Sequence, residues 1–265
     1  MKFSLVILAA LVSSHANAGP KTAEAEGVYA ADTSISHAPP RSTHALIEPN
    51  GNLWAADFHF TREAETDFII TGEIDTKTGE GIALDYLMDP PVPLSIKTTI
   101  SPNKVQFLMT QYVEGASRPT GYYNAPFPQY KAGPFDGDLL QLPRAKLELR
   151  SGSYKTTNYS FDFAITFNKD EFSGYNGNCP FTGKVNDGDD RHYKRVTLTY
   201  TNACYLTSSK QFPVLKNSKL KGVIFASKRS EYVGLPQPVE TDVIVMIMRP
   251  KAGQYNLGFS RMFKR

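Results

Sequence analysis

Apolar and polar residues alternate along several stretches of this chain with a period of two. The clearest stretch covers residues 159–167, where every second side chain is aromatic or aliphatic and the residues between them are Ser, Asp, Ala and Thr. Residues 196–201 repeat the pattern, with Val, Leu and Tyr separated by threonines. Because this period is typical of a β-strand with one buried face, both stretches are predicted strands.

Residues 243–248 depart from the alternation, since they are apolar at both odd and even positions. A strand that is covered on both of its faces has this composition. We therefore predict a strand here that lies between two layers of the protein.

Turn residues separate several of the apolar runs. Pro, Asn and Gly at 49–52 predict a hairpin over residues 46–60, and Asn, Asp and Gly at 186–190 predict another over 181–200. After residue 18 there is no capped segment of helical length with a 3.6-residue period. The sequence predicts an all-β, mainly antiparallel fold.

Short motifs recur in the same order in the two halves of the chain. Residues 27–29 (GVY) correspond to 152–154 (GSY), and 71–75 (TGEID) correspond to 182–186 (TGKVN). The intervals differ between the halves, so either an ancient duplication or independent use of Thr, Gly and Tyr by hairpins explains the match. In both cases we expect two successive β units, either sandwich halves or small barrels.

The predicted organisation has four parts. A leader covers residues 1–18, an N-terminal β unit covers 19–113 and a C-terminal β unit covers 144–265. The segment between them, 114–143, contains five prolines and four glycines. Such spacing is incompatible with a central strand.

The connecting segment is also rich in aromatic residues, which a purely solvated linker would not select. Either it packs across one end of the sheets, or it presents aromatic anchors to a partner. The candidate partner-binding residues are Tyr122, Tyr123, Phe127 and Tyr130.

The first eighteen residues have the pattern of a secretory signal peptide. Lys2 precedes an apolar run, and Ala16-Asn17-Ala18 is typical of a cleavage site. We expect an exported protein, periplasmic or secreted, with no membrane span once the leader is removed, because the apolar run is far shorter than a span requires.

Two cysteines, Cys179 and Cys204, are the only ones in the chain. They flank the predicted hairpin at 181–200, so a bridge between the ends of two paired strands is sterically reasonable. In an oxidising compartment we expect a disulfide between them.

Charge and motifs exclude several function classes. Of the 265 residues, 29 are Lys or Arg and 26 are Asp or Glu, and the formal charge of +3 is too small to indicate nucleic-acid binding. No nucleotide-binding loop, nucleophile elbow or zinc-protease motif occurs. The few histidines are too loosely spaced to predict a metal site, and we expect no cofactor and no catalytic residue set.

The C-terminal third resembles a pattern found in exported, uncharacterised proteobacterial β proteins. The resemblance rests on residues 178–183 (NCPFTG), the strand at 196–200, Cys204, residues 220–222 (LKG) and a closing apolar strand. It implies no activity. The glycine at 27 followed by Tyr29 is similar to the opening of lipocalin-like barrels, where a tryptophan is typical.

Three functions are compatible with these features. The first is a non-enzymatic binding protein that recognises a protein partner, for example as an inhibitor or immunity-type protein. The alternatives are a carrier of a small apolar ligand in a β-barrel and a hydrolase with scattered carboxylates. The absence of catalytic motifs favours the first two.

Overall fold

A computed structural model of the chain describes thirteen segments of the sequence. They are residues 26–33, 41–59, 66–75, 80–85, 92–101, 104–112, 136–142, 147–156, 163–186, 192–205, 213–231, 239–250 and 258–264. Within these segments every regular element is a β-strand, and all pairing is antiparallel between neighbours. The all-β, antiparallel prediction is confirmed.

The first eight strands form a closed barrel in which each strand pairs with the next and the eighth returns to the first. The strands are β1 (Gly27–Thr33), β2 (Arg41–Ile47), β3 (Asn52–His59), β4 (Thr66–Ile74), β5 (Glu80–Asp85), β6 (Val92–Ser101), β7 (Lys104–Tyr112) and β8 (Asp136–Gln141).

Strand β8 corrects one sequence-based expectation. It lies inside the segment 114–143, where a central strand was excluded, yet it pairs with both β7 and β1. The physical reason is local, because residues 136–141 lie between Pro134 and Pro143 and contain no proline themselves. This short proline-free run closes the barrel.

The remaining strands form an eight-stranded sheet and a small two-stranded ribbon. The sheet has the order β18-β17-β16-β13-β12-β11-β10-β9, and the ribbon pairs β14 with β15. The strands are β9 (Gly152–Thr156), β10 (Phe163–Asn168), β11 (Glu171–Asn176), β12 (Cys179–Asn186), β13 (Tyr193–Tyr200), β14 (Cys204–Tyr205), β15 (Pro213–Val214), β16 (Lys219–Glu231), β17 (Val239–Pro250) and β18 (Phe259–Lys264).

The second sheet curls until its two edge strands meet. The rings of Tyr154 on β9 and Phe263 on β18 lie 6.0 Å apart between centroids. The inner face encloses a core rich in aromatic side chains, in which Phe163, Phe181 and Phe259 are buried. Inward-pointing residues alternate along each strand, as the period of two requires.

The middle parts of strands β16 to β18 are covered on both faces, and β17 shows this most clearly. Ile244, Met246 and Met248 belong to the inner core of the second sheet. The intervening Val243, Val245 and Ile247 pack against the barrel. The prediction of a doubly buried strand at 243–248 is therefore confirmed.

The contact between barrel and sheet is mainly apolar. Trp54 and Phe58 of β3 and Leu46 of β2 share one buried cluster with Val223 and Phe225 of β16. One ion pair joins the same two bodies, because Arg195 on β13 donates to both carboxylate oxygens of the buried Glu48, over 3.1 and 2.8 Å. The barrel and the sheet thus share a continuous interface.

Both predicted hairpins are present. Strands β2 and β3 pair with Leu46 opposite Trp54, and β12 and β13 pair with Phe181 opposite Tyr200. The first predicted strand, at 159–167, is seen as β10 from Phe163 onward, and residues 157–162 lie outside the described segments.

Candidate functional site

The predicted partner-binding residues Tyr122, Tyr123, Phe127 and Tyr130 lie outside the described residues, as do the leader at 1–18 and most of the connecting segment. Their role stays a prediction. Among the residues that the structure does describe, none forms a helix long and apolar enough to cross a membrane.

The predicted disulfide between Cys179 and Cys204 is present, with 5.4 Å between the Cα atoms. Cys179 opens β12, and Cys204 lies in the ribbon strand β14. The bond therefore ties the ribbon to one end of the second sheet.

One buried arrangement has the residue types of a catalytic pair. Nε2 of His44 lies 2.6 Å from Oγ of Ser42, and its Nδ1 lies 2.7 Å from Oγ of Ser227 on β16. Burial, with a smaller contribution from the nearby Arg229 cation, lowers the pKa of His44 to about 3. The imidazole is therefore neutral near pH 7, and one ring nitrogen donates while the other accepts.

This arrangement is a structural link and not a reaction centre. Ser42 and His44 are fully buried between the barrel and the second sheet, so no substrate reaches them. Within the described segments, no group of three or more His, Cys, Asp or Glu side chains could hold a metal ion.

The outer face of β9 to β13 presents a different surface, which we call the hydroxyl face. Five hydroxyl residues, one from each strand, lie directly opposite one another across the sheet and form a single row. With neighbouring strands about 4.8 Å apart, the row extends for about 19 Å. The hydroxyl row consists of Ser153, Thr166, Ser173, Thr182 and Thr199.

Most of this row lines an open depression of about 570 Å³. Four of the five hydroxyl residues contribute to it, together with Thr197 and the ion pair between Glu171 and Lys184, whose charged atoms are 3.7 Å apart. At the end of the row, Oγ of Ser153 is hydrogen bonded to Oγ1 of Thr166 over 2.8 Å.

An aromatic side chain borders the hydroxyl row on the side away from Glu171 and Lys184. Tyr175 is 40% exposed and lies opposite Ala164 and Pro180 in the neighbouring strands. The hydroxyl face thus offers many donors and acceptors, one aromatic ring and charges of both signs.

Local sequence explains how the face is built. In β13, Val196, Leu198 and Tyr200 point into the core, so Thr197 and Thr199 must point outward. In β12 and β11 the alternation places Thr182 and Ser173 on the same side.

Sequence reasoning identified the alternation but not the site. The available signal was that each of the successive strands carries Ser or Thr at one or more of its outward positions. Their alignment in one row depends on the register between strands, which a single sequence does not specify.

Comparison with known proteins adds no relative to this description. No known protein family, no curated protein and no solved structure matches this chain.

Proposed function

We propose that this protein is an exported, non-enzymatic binding protein and that its hydroxyl face recognises a protein partner. The observation that carries the proposal is the aligned hydroxyl row within an exposed depression on a rigid sheet. The disulfide and the leader pattern support export, because such bonds persist in oxidising compartments.

The composition of the face favours a protein over other partners. Ser, Thr, Asn and Tyr provide adaptable hydrogen bonds, and ordering these short or rigid side chains takes little conformational entropy. Glu171 and Lys184 place opposite charges side by side, so the depression has no single sign of potential for a polyanion. The depression is open to solvent, so a small apolar ligand would be only partly buried there.

The test uses two variants with the same change in net charge. In the first, Thr182→Arg and Thr199→Arg place two long cations in the middle of the row. In the control, Glu73→Arg reverses one exposed charge on the barrel. Wild-type and variant proteins are immobilised and exposed to the exported proteins of the producing organism, and captured proteins are identified, purified and titrated.

We expect one partner to bind the wild type and the Glu73→Arg control with the same Kd. The double variant should bind at least about tenfold more weakly, because bulk and charge replace paired hydroxyls near the interface centre. The proposal is wrong if the double variant binds equally well, if no protein binds the wild type at micromolar concentration, or if a glycan array shows that the row binds a polysaccharide instead.

A further inference from the structure

The barrel and the second sheet have the same order of strands. Each is an antiparallel meander of eight strands, and the ribbon β14–β15 is an insertion between the fifth and sixth strands of the second sheet. By position, β1 to β5 therefore correspond to β9 to β13, and β6 to β8 correspond to β16 to β18. Pairing of β8 with β1 closes the barrel, and the edges of the second sheet meet at the equivalent place.

Two sequence motifs occupy equivalent places in these two structures. A Gly-x-Tyr motif opens β1 at Gly27 and β9 at Gly152, and a Thr-Gly pair lies within β4 at Thr71 and within β12 at Thr182. In both structures, the residue after the first glycine is connected to the threonine by three steps from strand to strand. Equal strand order and equal register favour a duplicated unit over independent use of common hairpin residues.

This register makes the hydroxyl row equivalent to a row that already forms an interface. The barrel row consists of Val28, Leu46, Trp54, Thr71 and Leu84. It packs on the outer face of the second sheet, where β1 lies on β16, β3 on β17 and β4 on β18. The same five positions of the second sheet form the hydroxyl row, most of which is exposed. The surface with which the barrel binds the sheet thus has an open counterpart on the sheet itself.

The ion pair of this interface also has an equivalent. Glu48 lies two residues after the barrel row on its strand, and it accepts hydrogen bonds from Arg195, which lies four residues before the hydroxyl row on β13. The corresponding positions are Asn168 after β10 and Glu80 on β5, and both are exposed. An amide group donates to a carboxylate, so this second pair is complementary as well, with donor and acceptor exchanged between the two surfaces.

We propose that the hydroxyl face binds the outer face of β6 to β8 in the barrel of a second copy of this chain. The inference rests on the proposed protein interface and names its partner. The contact between copies repeats the contact between barrel and sheet within one molecule, and it places Asn168 of one copy beside Glu80 of the next. Because the two surfaces differ, the contact is head-to-tail, and such contacts build chains or close into rings.

The composition of the two rows fits these two roles. The barrel row is mainly apolar, as is typical of a permanent contact. The hydroxyl row must be soluble in a free monomer, and Ser and Thr bond to water there or to a partner in a complex. We therefore expect the contact between copies to be reversible and to depend on protein concentration.

The first experiment measures the mass of the mature, oxidised protein by analytical ultracentrifugation over a series of concentrations. The wild type should form dimers and larger species as its concentration rises through the micromolar range. The variant with Thr182→Arg and Thr199→Arg should stay monomeric. The Glu73→Arg control should associate like the wild type, because its position corresponds to Lys184, which the barrel leaves exposed. A wild type that is monomeric at millimolar concentration, or a double variant that still associates, would overturn the proposal.

The second experiment tests the direction of the contact. Asn168→Glu places two carboxylates against each other and should weaken association at least about tenfold. Adding Glu80→Arg to the same chain recreates the pair Glu48–Arg195 between copies and should restore the wild-type affinity. Asn178→Glu makes the same change at an exposed turn at the opposite end of the sheet and should leave association unchanged. Circular dichroism and melting temperatures verify that every variant is folded.

Two other results would show that the partner surface is different. If two hydroxyl faces bind each other about a two-fold axis, the double Arg variant is monomeric but Glu80→Arg does not rescue Asn168→Glu, and the head-to-tail proposal is wrong. If the wild type stays monomeric while a different exported protein binds the hydroxyl face, this inference fails and the proposed protein interface stands.

Discussion

The outer face of the second sheet has two halves with the same backbone architecture and different surroundings. In the middle of β16 to β18 most outward residues are large and apolar, among them Val223, Val245 and Met262, and the barrel covers them. On β9 to β12 and the last part of β13 the outward residues are mainly polar and exposed, and they include the hydroxyl row. The inward residues of both halves belong to one core. Only the outward positions therefore decide which half is interface and which is available surface.

This difference shows how one sheet can bind the barrel with one part of its outer face and leave another part exposed to solvent. A covered strand needs apolar residues at every position, whereas an exposed strand needs them only at alternate positions. Two polar links also join the barrel to the sheet: His44 pairs with Ser227 on β16, and Glu48 pairs with Arg195 near the start of β13. The following substitutions test whether the two halves differ energetically as well as in composition.

The largest effect is expected from shortening a side chain in the covered half. Phe225 is fully buried between barrel and sheet. Phe225→Ala should lower the free energy of unfolding by about 3–5 kcal/mol, because it removes buried apolar area and leaves a cavity. Urea denaturation of both proteins measures the change. A loss below about 1 kcal/mol would mean that the barrel does not bury this half in solution.

The covered half should also make the protein sensitive to acid. The pKa of His44 is about 3 in the folded protein, against 6.5 for an ordinary histidine. The unfolded chain therefore binds this proton more readily, and stability present above pH 6.5 is lost as the pH falls toward 3. Between these limits the loss should approach about 1.4 kcal/mol per pH unit.

Urea denaturation at pH 7 and pH 4.5 tests this expectation, with His44→Gln as the control that cannot titrate. The variant should lose less stability on acidification than the wild type. Equal losses in the two proteins would show that His44 does not remain neutral inside the fold.

An intermediate effect is expected at the ion pair. The carboxylate of Glu48 is buried and accepts from Arg195 and from Nδ2 of Asn52. Glu48→Gln should cost about 2 kcal/mol, since hydrogen bonds to a charged group are lost while the half-exposed Arg195 regains water. Thermal unfolding of the wild type and of Glu48→Gln, each at low and high salt, measures this loss. Equal melting temperatures of the two proteins would show that the ion pair does not stabilise the interface.

The smallest effect is expected in the exposed half. Thr182→Val keeps the branched shape that strands favour and removes only an exposed hydroxyl. Its free energy of unfolding should stay within about 0.5 kcal/mol of the wild type. A large destabilisation would mean that the hydroxyl row stabilises the sheet and is not kept for recognition.

The sequence by itself predicted the all-β class, several of the strands and one strand that is covered on both faces. The alternation in 196–200 predicted β13, and the apolar run at 243–248 predicted that β17 is covered on both faces. Both predictions were possible because the spacing of apolar residues along a strand follows which of its faces are buried. The pairing of Cys179 with Cys204 was also predictable, since no other cysteine exists and the predicted hairpin places them near each other.

Tertiary structure alone decided how these strands are assembled. Three features depend on residues from distant parts of the chain. They are the closure of the barrel through β8, the alignment of five hydroxyl residues in one row and the burial of Arg261 beside Asn176. Strand register and sheet order depend on the sum of many cross-strand contacts, each worth only a fraction of a kilocalorie per mole. A local sequence pattern does not specify register or sheet order. The hydroxyl row and the surroundings of Arg261 could therefore be identified only in the folded chain.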